Sequence, residues 1–354
     1  MESYIHLLQT QLHFHEYKFA LLCFVTAFVV ALLAIPPIIH LSREYKLYDV
    51  PNERKVHSNP IPTMWFPFTN ELWQIAFLVC SALLFVMGIM DDLKDLSAKY
   101  KFIVQIALAA IIALSGTRIT SFDGLFGINE LPLYTQYTFT VLAIVGITNA
   151  FNLVDGIDGL AGGLGFMSLL TVGLFLSLSG DTAGALIAFA LAGSILAFLH
   201  YNFSPARIFM GDTGSLVLGF VISVLCIRLL KINASSANPV IHNLPVFILG
   251  IVLIPVFDTV RVFSVRIWKG KSPFEADKTH IHHLLTNSGF SHVTVVRVIC
   301  FIHAIILLKV YLLQGIRQEF ILLLLILLMI AVIYIFKYSA ALFGKRNNKL
   351  KTYP

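Results

Sequence analysis

Charge is what this chain has least of. Lys, Arg, Asp and Glu make up 12% of its 354 residues, about half the share usual in a soluble domain, so a solvated globular surface is excluded. Cysteine is also scarce. Cys23, Cys80, Cys226 and Cys300 all fall inside apolar runs with no paired or metal-type spacing, which argues against a disulfide framework and a zinc site. Repeats and low-complexity tracts are lacking too. The basic excess of +6 is spread over short loops beside apolar runs, which points to membrane topology and away from nucleic acid. No basic start precedes the first apolar run, Phe19 to Ile39. It is longer than a signal-peptide core and is read as a retained span.

What is abundant is hydrocarbon, 58% of residues. Ten apolar segments, at 19–40, 72–90, 102–116, 136–151, 160–179, 183–200, 211–230, 244–265, 293–315 and 320–337, predict an all-α fold. This is a polytopic transmembrane helical bundle of about ten spans forming one integral-membrane domain over 1–354. Lys and Arg gather after the first, second and eighth segments and at the end of the chain. By the positive-inside rule, loops near 43–60, 91–101, 149–163, 201–215 and 266–292 face the cytoplasm. One step breaks the alternation: the 43–57 and 91–101 loops both carry inside-type charge, yet a single span separates them.

Polar residues collect at the ends of these segments. Asn149, Asn152, Asp155 and Asp158 recur every third residue in Asn149-Ala-Phe-Asn-Leu-Val-Asp-Gly-Ile-Asp-Gly, a density too costly beside an apolar helix unless something binds. Asp91 and Asp92 end another apolar helix, where its dipole opposes them; a metal, a base role or a nearby cation is implied. Gly211-Asp212-Thr213-Gly214-Ser215 opens a span and suits a phosphate cradle. Asp212 would repel phosphate there unless a divalent cation such as magnesium bridges them, and a plain N-cap role stays open. His280, His282 and His283 come without cysteine, so phosphate binding or proton transfer fits better than zinc. Asp258 and Arg261, three apart, predict a mutual pair. The basic loop Asp49 to His57 fits either topology or a substrate contact. Together the clusters suit a reaction between a soluble phosphorylated donor and a lipid phosphate. An ion-coupled transporter fits less well, because its site would lie near the midplane.

The succession of Asp91-Asp92, Asn149-Ala-Phe-Asn-Leu-Val-Asp-Gly-Ile-Asp-Gly, Phe209-Met-Gly-Asp-Thr-Gly-Ser and His280-Ile-His-His resembles the polyprenyl-phosphate N-acetylhexosamine-1-phosphate transferases of glycosyltransferase family 4. The resemblance runs from about residue 43 to 340. His-Ile-His-His is similar to the bacterial undecaprenyl-phosphate N-acetylglucosamine-1-phosphate transferases, and fits the phospho-N-acetylmuramoyl-pentapeptide branch less well. It implies transfer of a sugar 1-phosphate from a UDP-N-acetylhexosamine to undecaprenyl phosphate, with release of UMP, as the first step of a cell-envelope glycan. The implied setting is a bacterial inner membrane with the active site toward the cytoplasm. Membrane lipids surround the bundle, and a homodimer is compatible with it.

By position, Asn152 and Asp212 resemble ligands of magnesium, for which manganese can substitute. Asp91 and Asp92 resemble the acid pair at the lipid phosphate, and Asp155 a catalytic-centre acid. Asn149, Asp158, Asn202, Phe209 and His280 resemble substrate-binding positions, with Phe209 offering a face for the uridine. His282 and His283 resemble diphosphate-side histidines. One departure stands out. Where the family has a Gly-Gly pair and a further span, Pro60-Ile-Pro62 runs on into Thr-Met-Trp-Phe-Pro, so the family's second span is expected to be absent. A catalytically impaired relative acting as a binding or scaffold protein is the alternative this raises.

Overall fold

Each apolar run becomes a helix, because a backbone in lipid has to satisfy its own hydrogen bonds. The computed structural model describes residues 2–44, 72–234, 236, 239–272, 280–286 and 289–350. The helices are α1 (Glu2–Glu44), α2 (Leu72–Lys94), α3 (Ala98–Leu114), α4 (Leu133–Val154), α5 (Leu160–Leu178), α6 (Thr182–Asn202), α7 (Gly211–Ala234), α8 (Leu244–Trp268), α9 (Ile281–Thr286), α10 (His292–Leu312) and α11 (Gln318–Leu350). Among the described residues nine helices are long and apolar enough to cross a membrane. The third apolar segment, as α3, falls just short at 17 residues. No strand forms among the described residues; a lone antiparallel bridge, Ser121 to Glu130, closes the α3–α4 loop.

Helix α7 is the axis of the bundle, packed by α2, α4 and α5. Small residues let its neighbours in: a Cβ on Gly219 would stand 2.8 Å from Thr148 Cα of α4, the close backbone approach that holds helices together where lipid offers no hydrophobic drive. On the face where α7 ends, Asp181 caps α6 by accepting the Gly184 N–H at 3.3 Å. The same carboxylate takes Arg228 of α7 in a two-pronged pair, with Nη2 at 2.9 Å from Oδ1. The Arg228 guanidinium lies 3.6 Å above the Trp73 ring at the start of α2.

The opposite face gathers the ends of α2, α4, α6 and α8 and the starts of α3, α5, α7 and α10, and with them the polar islands. Helix α1 runs parallel to α6: Gly193 abuts the Phe24 backbone, and eight residues on Tyr201 Oη donates to Leu32 O at 3.1 Å. So α1 ends on the polar-island face, whereas α2 begins on the other. The charge step that fails, the basic loop and the absent second span all fall on residues 45–71, outside the described residues.

Candidate active site

The site is assembled where the end of α2 meets the start of α7. Gly88 permits this, since a Cβ there would lie 2.9 Å from the Thr213 amide nitrogen. Asp92 then turns both oxygens onto the first turn of α7. Oδ1 accepts the Asp212 N–H at 2.8 Å, and Oδ2 accepts the Thr213 N–H at 3.1 Å and its hydroxyl at 2.5 Å. This is an N-cap delivered from another helix, and it offsets the unfavourable position of Asp92 in its own. Gly211, at φ +63°, leaves room for that carboxylate.

Asp91 faces the other way and is 3% exposed. Its Oδ1 accepts the Leu96 N–H at 2.8 Å, and its Oδ2 pairs with Lys101 of α3 at 2.5 Å. Lys101 also reaches Asp212 Oδ2 at 3.2 Å, bridging two acids far apart in sequence. Asp212 Oδ1 accepts from Asn152 Nδ2 at 2.7 Å, and the same amide group donates to Ser215 Oγ at 2.9 Å. Asn152 therefore comes from the last turn of α4 to orient Asp212.

Past Asn152, α4 stops at Val154 and the chain turns through Asp155 to Gly159, whose φ of +83° starts α5. Burial first, then the carboxylates of Asp212, Asp92 and Asp158, push the Asp155 pKa up to about 8. Asn202 staples this turn to α6. Its Oδ1 accepts the Gly159 N–H at 2.8 Å, and its Nδ2 donates to Ile208 O at 2.7 Å. Asp158 accepts the Ala206 N–H at 3.4 Å. Asn149 points into the bundle, donating to Gln105 Oε1 of α3 and to Val145 O at 2.8 Å. Phe209 lines an apolar groove with Ala31, Ile35, Phe85 and Phe198.

The histidines arrive from α9. His280 Nδ1 lies 2.9 Å from Asp258 Oδ2, and the His280 and His282 rings stack at 5.8 Å with 7° between their planes. His282 rests on Gly156, where any Cβ would enter the imidazole. The His283 side chain lies outside the described residues.

The structure thus brings Asp91, Asp92, Asn152, Asp155, Asp212 and His282 to one face. It ties the amides of Asn149 and Asn202 to neighbouring protein groups and sets Phe209 in the wall of the apolar groove. Lys101 of α3, one of the lysines that the sequence offers with Lys99 as local counter-charges to Asp91 and Asp92, joins the constellation, whereas Gln105, which was not singled out, holds Asn149. A Lys, then a Gln four residues on, in an apolar helix was the available signal. Among the described residues no three His, Cys, Asp or Glu side chains are grouped as a metal cage.

Two comparisons bear on the family. Glycosyl transferase family 4 matches residues 74–230, the stretch from α2 to α7 that carries the acid constellation. A probable undecaprenyl-phosphate N-acetylglucosaminyl 1-phosphate transferase of Bacillus subtilis is 35% identical over 79% of this chain and 83% of its own length. Undecaprenyl-phosphate alpha-N-acetylglucosaminyl 1-phosphate transferases of Salmonella typhi and Escherichia coli strain K12 are 34% and 32% identical, over 69% and 71% of this chain and 70% and 72% of theirs. With relatives of that identity and coverage, and acids and amides from α2, α4 and α7 converging at one end of a membrane bundle, the chain belongs to glycosyl transferase family 4 and is a multi-pass membrane sugar-1-phosphate transferase.

Proposed function

We propose that this enzyme transfers N-acetylglucosamine 1-phosphate from UDP-N-acetylglucosamine to undecaprenyl phosphate at the cytoplasmic face of a bacterial membrane, beginning a cell-envelope glycan. The observation that carries the reading is the convergence of Asn152, Lys101 and Asp155 on Asp212 at one end of the helical bundle. The names of the relatives supply the two substrates.

In the reaction a phosphate oxygen of the lipid attacks the β-phosphorus of the donor. A new P–O bond forms, the bond from that phosphorus to the bridging oxygen breaks, and its electron pair leaves with UMP. The attacking phosphate monoester is already largely ionised at neutral pH, so orientation counts for more than proton removal. This suits Asp91 and Asp92, whose oxygens are occupied by Lys101, Leu96, Asp212 and Thr213. Their role is to place the Lys101 ammonium and the Asp212 carboxylate.

The donor set fits magnesium. Oxygens dominate, and such an ion takes one or two protein carboxylates together with water and substrate phosphates. Asp212 would hold it, its side chain 33% exposed, with Asn152 beside it. When bound, the ion neutralises diphosphate charge and favours departure of UMP. Lys101 adds a fixed positive charge at the same point, and His282 lies across the Asp155–Gly156 turn to meet the donor diphosphate.

The test is UMP release and lipid-linked product from radiolabelled UDP-N-acetylglucosamine, UDP-N-acetylgalactosamine or UDP-N-acetylmuramoyl-pentapeptide, with membranes, undecaprenyl phosphate and magnesium. Turnover with the first donor is expected. Product from the pentapeptide donor alone would reassign the substrate, and none from any donor would sink the proposal.

A further inference from the structure

Asp258 lies within α8, 1% exposed, and its neighbour Arg261 is the partner that their spacing announces. That pair accounts for part of what the carboxylate does. Oδ1 accepts from Arg261 Nη2 at 2.7 Å and Nε at 3.2 Å. The same oxygen lies 3.1 Å from the Ile281 amide, and Oδ2 lies 3.2 Å from it. Oδ2 also meets His280 Nδ1 at 2.9 Å. A carboxylate this deep in an apolar helix is costly unless it is well partnered, and here it is also met by His280 and by Ile281, the first residue of α9.

The consequence travels further than α9. His280 is 5% exposed, and its ring is parallel to that of His282. His282 in turn rests on Gly156, next to Asp155. Contacts therefore run unbroken from α8 through two imidazoles to the turn at the centre of the site. A histidine whose Nδ1 donates to a carboxylate is held in one tautomer and one ring orientation, with Nε2 directed away from that carboxylate.

We infer that Asp258 is a positioning residue for sugar-phosphate transfer: it fixes the ring and tautomer of His280 and, through the parallel stack, holds His282 against the Asp155–Gly156 turn where the donor diphosphate binds. This rests on the proposed donor-side role of the histidines. Its effect is accordingly on the UDP-sugar and not on the lipid phosphate.

Three variants of the full-length enzyme test this: Asp258→Asn, His280→Asn and the double variant. Asp258→Asn keeps an acceptor for the Ile281 amide while removing the charge that orders the ring. The expected result is a KM for the UDP-sugar raised on the order of tenfold with the KM for lipid phosphate unchanged, the scale usual for losing a carboxylate behind a functional histidine. The double variant should be no worse than the poorer single one, since both break the same contact. Histidine ¹⁵N spectra of the protein in nanodiscs, with His280 assigned from His280→Asn, should show a proton on Nδ1 that Asp258→Asn abolishes. Equal rises in both KM values, multiplying effects in the double variant, or an unchanged His280 resonance would each overturn the inference. If the wild type turns over no UDP-sugar, the transferase proposal fails, while the resonance still decides what Asp258 does.

Discussion

Gly88→Ala changes the molecule by one methyl group at the point where α2 touches α7. The added carbon would fall inside van der Waals contact of Thr213 Cα, 2.9 Å from its nitrogen and 3.3 Å from the Asp212 carbonyl carbon. All three are backbone atoms that no rotamer change can move. Restoring an ordinary separation of about 3.5–4.0 Å requires the helices to part by roughly 1 Å. Such overpacking costs about 1–3 kcal/mol. The same displacement would stretch the 2.8 Å bond from the Asp212 amide to Asp92 past hydrogen-bonding range, removing a cap of about 1 kcal/mol. A misplacement of about 1 Å at reacting groups is enough to cost on the order of 100-fold in rate. Turnover should therefore fall by about that factor while the protein still inserts, read as UMP release per folded molecule from fluorescence-detected size-exclusion. Gly146→Ala is the control, because nothing lies within 4 Å of a Cβ there. Activity of Gly88→Ala within twofold of that control would refute the packing argument.

Lys101→Met should lower turnover on the order of 100-fold, the scale of losing one preorganised charge at a phosphoryl centre; unchanged kinetics at limiting magnesium would remove Lys101 from the site. Asp212→Asn should abolish magnesium-dependent thermal stabilisation as well as transfer, and a retained magnesium shift in melting temperature would place the ion elsewhere. The raised pKa of Asp155 makes the metal-free protein lose stability as pH rises, from the unfolded carboxylate value of about 4 up to about 8, because over that range the folded state binds the extra proton. Melting temperatures of metal-free protein between pH 5.5 and 8.5 should decline more steeply for wild type than for Asp155→Asn, and parallel curves would contradict this. Arg228→Ala leaves the Asp181 carboxylate buried without its ion pair and should destabilise by about 3 kcal/mol, with little change in KM for either substrate. A melting temperature equal to wild type would show the clamp to be idle.

The spans could be read from the chain because hydrocarbon length alone decides them, and the polar islands because acids and amides at helix ends have no cheap alternative. Partnerships across helices could not. Asp92 looked misplaced at the end of α2 because its compensating dipole belongs to α7, some 120 residues on. The i,i+3 spacing announced Asp258 with Arg261, and that pair forms. The larger share of the Asp258 bonds goes to His280 and Ile281, which no local spacing reveals. Asn202 and Asn149 carry motif positions, yet their amides are spent on backbone and on Gln105, contacts set by how α3, α4 and α6 happen to meet. The third apolar run, read as the short stretch 102–116, does form a short helix of 17 residues, begun earlier by the Ser97 cap, which accepts the Tyr100 N–H.

Helix α7 is held at two points along its length, by Asp92 at its first turn and by Asp181 through Arg228 toward its other end. Arg228 stands sixteen residues on from Asp212, about 24 Å of helix at 1.5 Å per residue. The reacting end of the enzyme is thereby set off from the Asp181–Arg228 clamp by a strut of set length. In a bilayer of unmatched thickness the lipid must stretch or thin around this strut, since tilting α7 alone would tear one of its two moorings.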